Sequence, residues 1–241
     1  MTAAILVGVW AAASSLLKSA LLPGPLDVVR SLIEAARAGA LLRAVVTSGL
    51  RLTFGYALSL AIGVPLGLVL ARSSGIRKAI GPMLLGLSSV PSICWLPLAI
   101  VWFGLSEAAI QVVVVLGAAL PITLATEASV RQLPPTIERA ARTMGANGAV
   151  LLFRVLLPAA LPGILTGMKI GWTFALRSLM AGELLFVSGG LGQLLETGRD
   201  LADTALVLGV VAVIVASSRL SERLLFGPIE RLVERRWGTA Q

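Results

Sequence analysis

The sequence predicts an all-α membrane protein with six transmembrane helices. Hydrophobic residues make up 57% of the 241 residues and charged residues only 13%, against about 25% charged residues in a soluble domain. The mean hydropathy is +0.93. A single soluble core could not enclose that much apolar surface, whereas lipid can surround it. Three stretches contain no charge and are each long enough to cross about 30 Å of hydrocarbon. They are residues 52–71, 79–106 and 108–126.

Three less regular runs complete the six helices. Residues 204–218 extend naturally to about residue 225, and residues 158–187 are apolar apart from three charged side chains. The first run, residues 1–22, is either a retained helix or a signal peptide. It lacks the basic segment that precedes the apolar part of a signal peptide, which favours a retained helix.

A short amphipathic helix follows the first run. Pro23 and Pro25 interrupt that run, and residues 27–42 come after them. Charged side chains alternate with apolar residues at helical spacing, namely Leu26, Val29, Ile33 and Ala36. We expect this helix to lie at the membrane interface.

The loop charges predict the orientation. The net charge is +8, and basic cytoplasmic loops explain this excess better than nucleic-acid binding does. The basic segments are residues 72–78, 131–154 and 219–236, and the intervening loops carry Glu107, Glu196, Asp200 and Asp203. The positive-inside rule then places both termini in the cytoplasm. Residues 18–51 disagree, because they carry five basic residues on the predicted outer side. The disagreement shrinks if Arg43 and Arg51 belong to the second helix.

The residues that are missing exclude several kinds of chemistry. Histidine is absent and Cys94 is the only cysteine, which excludes disulfides, zinc fingers and sites or triads that need histidine. The sequence contains no G-x-x-x-x-G-K-[ST] motif, so the chain has no recognisable phosphate-binding loop. We therefore predict no catalytic residue, metal site or cofactor in this chain, and any ATP must be bound by another chain.

The predicted cytoplasmic loop, residues 131–158, contains a helix of its own. Pro134 and Pro135 can begin this helix and Gly145 can end it. One apolar stripe runs along it, formed by Ile137, Ala140, Ala141 and Met144. A short helix that ends in a glycine turn can dock into a groove of a partner protein. The alternative is a plain surface helix.

The same loop resembles the E-A-A-x-x-x-G-x9-I-x-L-P motif of permease subunits of bacterial ATP-binding-cassette (ABC) importers. Ala140, Ala141 and Gly145 match its spacing, and Val-Leu-Leu-Pro at residues 155–158 follows in register. Arg139 stands at the motif's glutamate position, and Glu138 lies one residue earlier. Three further stretches resemble the nitrate/sulfonate/taurine/bicarbonate branch of the family, namely residues 22–29, 90–104 and 157–167.

The resemblance implies the fold and the partners of a type I importer. It implies one transmembrane domain, residues 1–241, with a cytoplasmic coupling loop at residues 131–158. The partners would be a second permease copy, two cytoplasmic ATPase subunits that bind ATP and Mg, and an extracytoplasmic substrate-binding protein, all at the bacterial inner membrane. The chain would be non-catalytic and would translocate a small anion. The residues that couple it to the ATPase would be Glu138, Arg139, Ala140, Ala141, Met144 and Gly145.

Polar residues at membrane depth are candidates for a translocation pathway, because each charge there costs at least ~2.5–3.5 kcal/mol. One helical stripe consists of Thr166, Lys169, Thr173 and Arg177. Glu183 returns to within about 40° of the face that carries Lys169. A cationic stripe with hydroxyl groups would suit an anion that crosses the centre of a dimer. The alternative is structural: Arg177 and Glu183 pair with neighbouring helices, and Lys169 pairs with Glu127 or Glu183.

Glycines and prolines predict close packing and a broken helix. Glycines repeat every four residues at positions 63 and 67 and at positions 163, 167 and 171, which lets helices approach closely within a subunit or at a dimer contact. Pro91 and Pro97 interrupt the third span, and the freed backbone groups must face protein or a water-filled cavity. Three roles stay open for Trp95 and Trp102: they line that cavity, anchor the helix at the membrane interface, or pack against neighbouring helices. The glycine-rich residues 188–193 form a hinge, an outer gate or a simple turn.

Two other classes of function compete with the importer permease. An ion channel or secondary transporter that works without ATP should show inverted repeats with broken helices in both halves, and the sequence shows none. An intramembrane enzyme needs groups for chemistry, and this sequence offers neither histidine nor a pair of carboxylates at membrane depth.

Overall fold

The computed structural model describes residues 2–17, 22–185 and 189–237, and these residues form helices joined by short turns. In chain order the helices are α1 (Thr2–Leu17), α2 (Pro25–Arg37), α3 (Ala40–Arg72), α4 (Ser74–Ser89), α5 (Leu96–Phe103), α6 (Glu107–Arg131), α7 (Pro135–Thr143), α8 (Gly148–Leu151), α9 (Leu157–Leu185), α10 (Leu191–Asp200), α11 (Thr204–Ser221) and α12 (Gly227–Trp237). A 3-10 turn, Ser92–Trp95, lies between α4 and α5. Two π-helical segments, Leu152–Leu156 and Glu222–Phe226, lead from α8 into α9 and from α11 into α12.

The chain divides into two compact units whose boundaries fall inside α3, α9 and α11. The first unit contains the chain up to Arg51 together with Leu179–Arg219, and the second contains Leu52–Ser178 together with the chain from Leu220 onward. The core of the first unit is formed by Ala44, Leu191, Leu206 and Val210. One core of the second unit joins the ends of α3 and α6 to α7, α8 and the start of α9.

Helix α6 lies at the centre of the second unit because two neighbouring helices meet it through glycines. A Cβ atom on Gly67 of α3 would lie 2.6 Å from the side chain of Thr126. A Cβ atom on Gly167 of α9 would lie 2.3 Å from the Cβ of Ala125. Gly63, Gly163 and Gly171 approach α6 in the same way. The four-residue glycine repeats therefore serve packing within one subunit, which is one of the two alternatives that the sequence left open.

Among the described residues, four helical segments are long and apolar enough to cross a membrane. They are Ala40–Arg72, Glu107–Arg131, Gly148–Leu185 and Thr204–Val233. The pair Ser74–Ser89 and Ser92–Phe103 adds a fifth if it counts as one span, but it is bent by 101°. Helix α1 covers 16 residues. The structure therefore bears out a polytopic all-helical fold with four or five candidate spans.

The third predicted span is a broken helix, divided into α4, a 3-10 turn and α5. The chain leaves the helix at Val90, whose ψ of 124° is extended, because Pro91 disfavours helical geometry in the residue before it. Pro97 lies in the first turn of α5, a position where proline is tolerated. The break predicted from the prolines is confirmed, and Pro91 is the residue that causes it.

Several helix ends differ from the predicted ones. The amphipathic helix is confirmed as α2, but it ends at Arg37 rather than at residue 42, and Gly39 follows with φ +70. Helix α3 begins at Ala40, so Arg43 and Arg51 belong to it, which lessens the disagreement in the loop charges. The predicted ends at residues 22 and 187 involve residues 18–21 and 186–188, which lie outside the described residues; Lys18 and Ser188 are among them.

Candidate functional site

Helix α7 is the helix predicted in the cytoplasmic loop. Pro135 lies in its first turn, where the missing N–H costs nothing. A Schellman motif ends the helix: the N–H of Gly145 donates to the carbonyl of Arg142 (3.0 Å), and that of Ala146 donates to the carbonyl of Ala141 (2.9 Å). Gly145 has φ +85, and the space where its Cβ would lie is open. The backbone conformation therefore explains why glycine is found here.

The two faces of α7 have different surroundings. Ala141 is buried in a cluster with Leu151 and Leu156, and Ile137 is half-buried. Met144 is 87% exposed, and Arg139 and Ala140 are exposed as well. The predicted apolar stripe is therefore divided. One part packs against the chain's own loop, and the part that ends at Met144 stays open.

Glu138 is the acidic residue of α7, and two arginines hold it. Its carboxylate accepts a hydrogen bond from Arg142 (2.7 Å) and pairs with Arg72 at the end of α3 (3.7 Å). The hydrogen bond from Arg142, opposed by partial burial and helped by the charges of both arginines, holds the pKa of Glu138 below its ordinary value. The carboxylate thus fastens α7 to α3 and is already engaged within the chain.

The polar stripe predicted on α9 is present on one face of that helix. Thr166, Thr173 and Arg177 are exposed, and Lys169 is half-buried. The guanidinium carbon of Arg177 lies 5.8 Å from the centre of the Phe174 ring. The structure therefore brings the four predicted residues together along one long apolar helix, on a face open to solvent, lipid or a second subunit.

Lys169 pairs with Glu230 of α12. The two partners considered for it from the sequence, Glu127 and Glu183, are wrong. Glu127 pairs with Arg131 one turn away on α6 (2.9 Å), and Glu183 is held elsewhere. Glu230 was missed because the sequence shows only a charged tail at that point, with nothing to indicate that it folds back against α9.

An aromatic cluster holds α12 near Lys169. Tyr56, Trp172 and Phe226 meet edge to face, with ring centres 4.9 to 6.4 Å apart. The indole N–H of Trp172 donates to the hydroxyl of Ser221 (3.1 Å), and the hydroxyl of Tyr56 donates to the carbonyl of Met168 (2.8 Å). Lys169 therefore lies beside a tightly packed part of the second unit.

Glu183 lies at the centre of a buried polar network in the first unit. Its side chain is fully buried and accepts a hydrogen bond from the guanidinium of Arg51 (3.0 Å). The hydroxyl of Ser48 lies 2.7 and 2.8 Å from its two oxygens, and the N–H of Gly192 donates to it (3.0 Å). Ser48 also accepts a hydrogen bond from the N–H of Leu191 (2.8 Å). This is the structural pairing that stood as the alternative to a pathway role for Glu183.

The glycine-rich turn before α10 packs directly on this network. A Cβ atom on Gly190 would lie 2.2 Å from a carboxylate oxygen of Glu183, and one on Gly192 would lie 2.5 Å from the Cβ of Glu183. Glycine is required there because a buried ion pair occupies the space. Sequence reasoning missed Arg51 and Ser48. The available signal was one Arg and one Glu in two apolar helices, since a buried charge needs an opposite charge.

A cavity of about 260 Å³ lies at the break between α4 and α5. The interrupted span was expected to face protein or a water-filled cavity, and residues of the break line this one. Ser88, Ser92 and Trp95 line it from the side of the break, and Phe174 lines it from α9. Trp95 is half-buried in the wall, whereas Trp102 is 63% exposed, so the two tryptophans lie in different surroundings. Across the described residues, no group of three or more His, Cys, Asp or Glu side chains could hold a metal ion.

The chain is similar in sequence to a known family of proteins. Residues 63–226 match the family described as "Binding-protein-dependent transport system inner membrane component". The taurine transport system permease protein TauC of Escherichia coli (strain K12) is 30% identical over 228 residues, which cover 92% of this chain and 83% of the relative. The putative aliphatic sulfonates transport permease protein SsuC of Bacillus subtilis (strain 168) is 26% identical, over 97% of this chain and 83% of the relative.

A solved structure agrees with the fold. An inward-facing structure of the MetNI methionine ABC transporter includes a chain that superposes with a TM-score of 0.72. The identity is 24%, and the alignment covers 80% of this chain and 96% of that chain.

Proposed function

Because the chain belongs to the family of inner-membrane components of binding-protein-dependent transport systems, we propose how it works within such a system. The chain is the permease subunit of an ABC importer. Two copies form the path through the bacterial inner membrane, and an extracytoplasmic binding protein delivers the substrate. Two cytoplasmic ATPase subunits bind ATP with Mg and hydrolyse it, and the permease itself catalyses no reaction.

The open end of α7 supports this proposal most directly. Met144 is exposed at the end of α7, where the hydrogen bonds of the Schellman turn around Gly145 hold the backbone, and Arg139 and Ala140 are exposed along the helix. A rigid, short helix with an exposed apolar end suits a groove on a partner, because little order has to be gained on binding. Residues 131–158 serve as the coupling loop in this proposal. Glu138 pairs with Arg72 and Arg142 and so positions α7 against α3. Ala141 packs into the apolar cluster of the loop on the buried face of α7.

Association with an ATPase separates this proposal from an ion channel or a secondary transporter. The full chain, expressed with its binding protein and ATPase, should co-purify with the ATPase subunit in detergent. Hydrolysis should rise when the loaded binding protein is added to proteoliposomes. Uptake of substrate without ATP, or purification of the permease free of any ATPase, would contradict the proposal.

We place six crossings in the membrane, with α1 as the first and the bent pair α4–α5 as the third, so that both termini are cytoplasmic. Support comes from the basic loops around Arg72 and residues 131–154. A single cysteine at exposed Thr197 or at exposed Ser74, in a chain with Cys94→Ala, reports the side of each loop. A membrane-impermeant thiol reagent should label position 197 from outside only and position 74 from inside only. The reverse pattern contradicts the orientation, and labelling from the same side contradicts the helix count.

The open stripe on α9 lines the translocation pathway in this proposal. Thr166, Lys169, Thr173 and Arg177 offer hydroxyl groups and positive charge on an exposed helix face. A cation offsets part of the cost of desolvating an anion, and attraction strengthens as the local dielectric falls. Glu230 neutralises Lys169 when no substrate is bound, which keeps the attraction modest enough for the anion to leave.

The substrate class is a small organic sulfonate. Two relatives are described as permeases for taurine and for aliphatic sulfonates, and the cationic stripe suits a group that stays negative at all physiological pH values. ATP-driven uptake of labelled taurine and of ethanesulfonate, with nitrate and bicarbonate as competitors, tests this assignment. Uptake of nitrate or bicarbonate in preference to both sulfonates would contradict it.

A further inference from the structure

Helix α10 has an open, basic pocket beside its first turns. The pocket has a volume of about 220 Å³, and the start of α3 forms its other wall. Arg43 of α3 lines it together with Gln193 and Thr197 of α10. The Nε–H of Arg43 donates to the carbonyl of Gly39 (3.2 Å), and among the described residues its two terminal nitrogens meet no acceptor. The pocket therefore offers a positive charge and free donors to an acidic group.

The buried network around Glu183 holds this pocket in place. The carboxylate of Glu183 accepts a hydrogen bond from the N–H of Gly192 (3.0 Å), in the first turn of α10. The amide oxygen of Gln193 accepts from the N–H of Gly189, and the NH2 group of Gln193 meets no acceptor in the described part of the chain. Donors that are already positioned lose little conformational freedom when a partner binds.

The other end of α10 presents an exposed leucine. Leu201 directly follows the helix and is 70% exposed. A Schellman turn holds its backbone: the N–H of Ala202 donates to the carbonyl of Arg199 (3.0 Å). The N–H of Asp203 donates to the carbonyl of Gly198 (2.8 Å) in the same turn. Charged residues flank the leucine at positions 199, 200 and 203, and lipid disfavours such charges. An apolar side chain with a charged surround suits contact with another protein, since interfaces combine an apolar centre with a polar rim.

A second pocket, of opposite charge, begins at the residue after Leu201. Its volume is about 520 Å³, and its described lining contains two carboxylates, Asp27 and Asp203, and no basic residue. A basic and an acidic pocket therefore flank one helix of 10 residues, which is about 15 Å long at 1.5 Å per residue. A free anion would fill the basic pocket alone, whereas the surface of a protein can engage both ends of α10.

We propose that α10 and the two pockets form the surface on which the extracytoplasmic binding protein docks. This inference rests on the proposed function and on the orientation proposed with it, in which α3 and α11 begin on the outer side. An acidic side chain of the binding protein enters the pocket at Arg43, an apolar side chain covers Leu201, and a basic side chain meets Asp203. Opposite charges at the two ends fix the direction in which the partner lies along α10, because the reversed arrangement places like charges together.

Arg43→Gln tests the basic end of this docking surface. The full complex, in lipid nanodiscs, hydrolyses ATP while loaded binding protein is titrated. The variant should raise the half-saturating concentration of binding protein about tenfold, as for the loss of a hydrogen bond to a charged group, and should reach the same maximal rate. Added salt should weaken docking to the native complex more than docking to the variant. The matched control is Arg37→Gln, which should change nothing, because Arg37 is exposed and lines neither pocket.

Leu201→Ala tests the apolar contact independently of charge. It should raise the half-saturating concentration of binding protein roughly five- to tenfold, as for truncation of a leucine buried in an interface. The effect should not depend on salt. Leu220→Ala is the matched control, because Leu220 is 58% exposed near the far end of α11, and it should leave the titration unchanged.

The titrations separate failure of the docking surface from failure of the proposed function. If the binding protein stimulates the native complex and Arg43→Gln has the native half-saturating concentration, the docking surface is overturned and the proposed function stands. A lower maximal rate in Arg43→Gln, with the native half-saturating concentration, also overturns it and makes Arg43 a contact of the free substrate. An unchanged titration in Leu201→Ala overturns the apolar contact. If the binding protein stimulates the native complex at no concentration, the proposed function itself is overturned.

Discussion

Replacing Glu183 with glutamine should destabilise the protein strongly, because the carboxylate balances a buried positive charge. The side chains of Glu183 and Arg51 are 0% and 8% exposed, and their oxygen and nitrogen atoms are 3.0 Å apart. Removing one charge of a buried pair costs about 3–5 kcal/mol. For a chain of this length, each kcal/mol lowers Tm by about 2–4 °C. We therefore expect Glu183→Gln to lower Tm by roughly 6–20 °C.

Size-exclusion chromatography in detergent measures this change in Tm, as the fraction of monodisperse protein that remains after heating to each temperature. The matched control is Arg43→Gln, an exposed arginine near the start of the same helix α3, which should shift stability by less than about 0.5 kcal/mol. The double variant Arg51→Met with Glu183→Met should be less destabilised than Arg51→Met alone or Glu183→Met alone, since no buried charge remains in the double variant. The reasoning is refuted if Glu183→Gln shifts Tm no more than the control does.

Two further predictions concern α9. Lys169→Met should lower uptake of an anionic substrate while leaving ATP hydrolysis and membrane yield intact. Adding Glu230→Gln to this variant should not restore uptake. If Lys169→Met instead loses folded protein and Glu230→Gln restores it, the pair is structural. Gly167→Leu should abolish folding, because a Cβ atom there would lie 2.3 Å from the Cβ of Ala125. The control Gly86→Leu should be tolerated, because the space at its Cβ position is open. Membrane yield and elution profile measure the difference, and equal yields of the two variants would contradict the packing.

The features that sequence reasoning predicted correctly depend on local patterns. Charge-free runs predict α3 and α6 because lipid selects apolar side chains along a whole helix. The break before α5 follows from Pro91, because proline disfavours helical geometry in the residue before it. The end of α7 follows from Gly145, because glycine adopts the positive φ of a helix stop without steric cost.

The features that were missed depend on contacts between distant segments. Lys169 with Glu230, and Arg51 with Glu183, each join residues far apart in the chain. The sequence shows that such charges need partners but not which partners they meet. Met144 illustrates the same limit on one short helix. Its place in the apolar stripe was evident, but its exposure depends on how α7 packs against α8 and the end of α3.

The central claim is that the turn at the end of α7 couples ATP hydrolysis in the partner ATPase to transport by this permease. The most direct measurement is ATP-driven uptake of labelled taurine into proteoliposomes that contain the full complex, with hydrolysis followed in parallel. The variants are Gly145→Leu and, as a matched control, Gly39→Leu. Gly145 and Gly39 have φ of +85 and +70, with open space at the Cβ position of each, so both substitutions carry a similar backbone cost of about 1–2 kcal/mol. We expect Gly145→Leu to insert normally but to lose uptake and substrate-stimulated hydrolysis, while Gly39→Leu keeps both. Full uptake by Gly145→Leu at normal expression would contradict the claim.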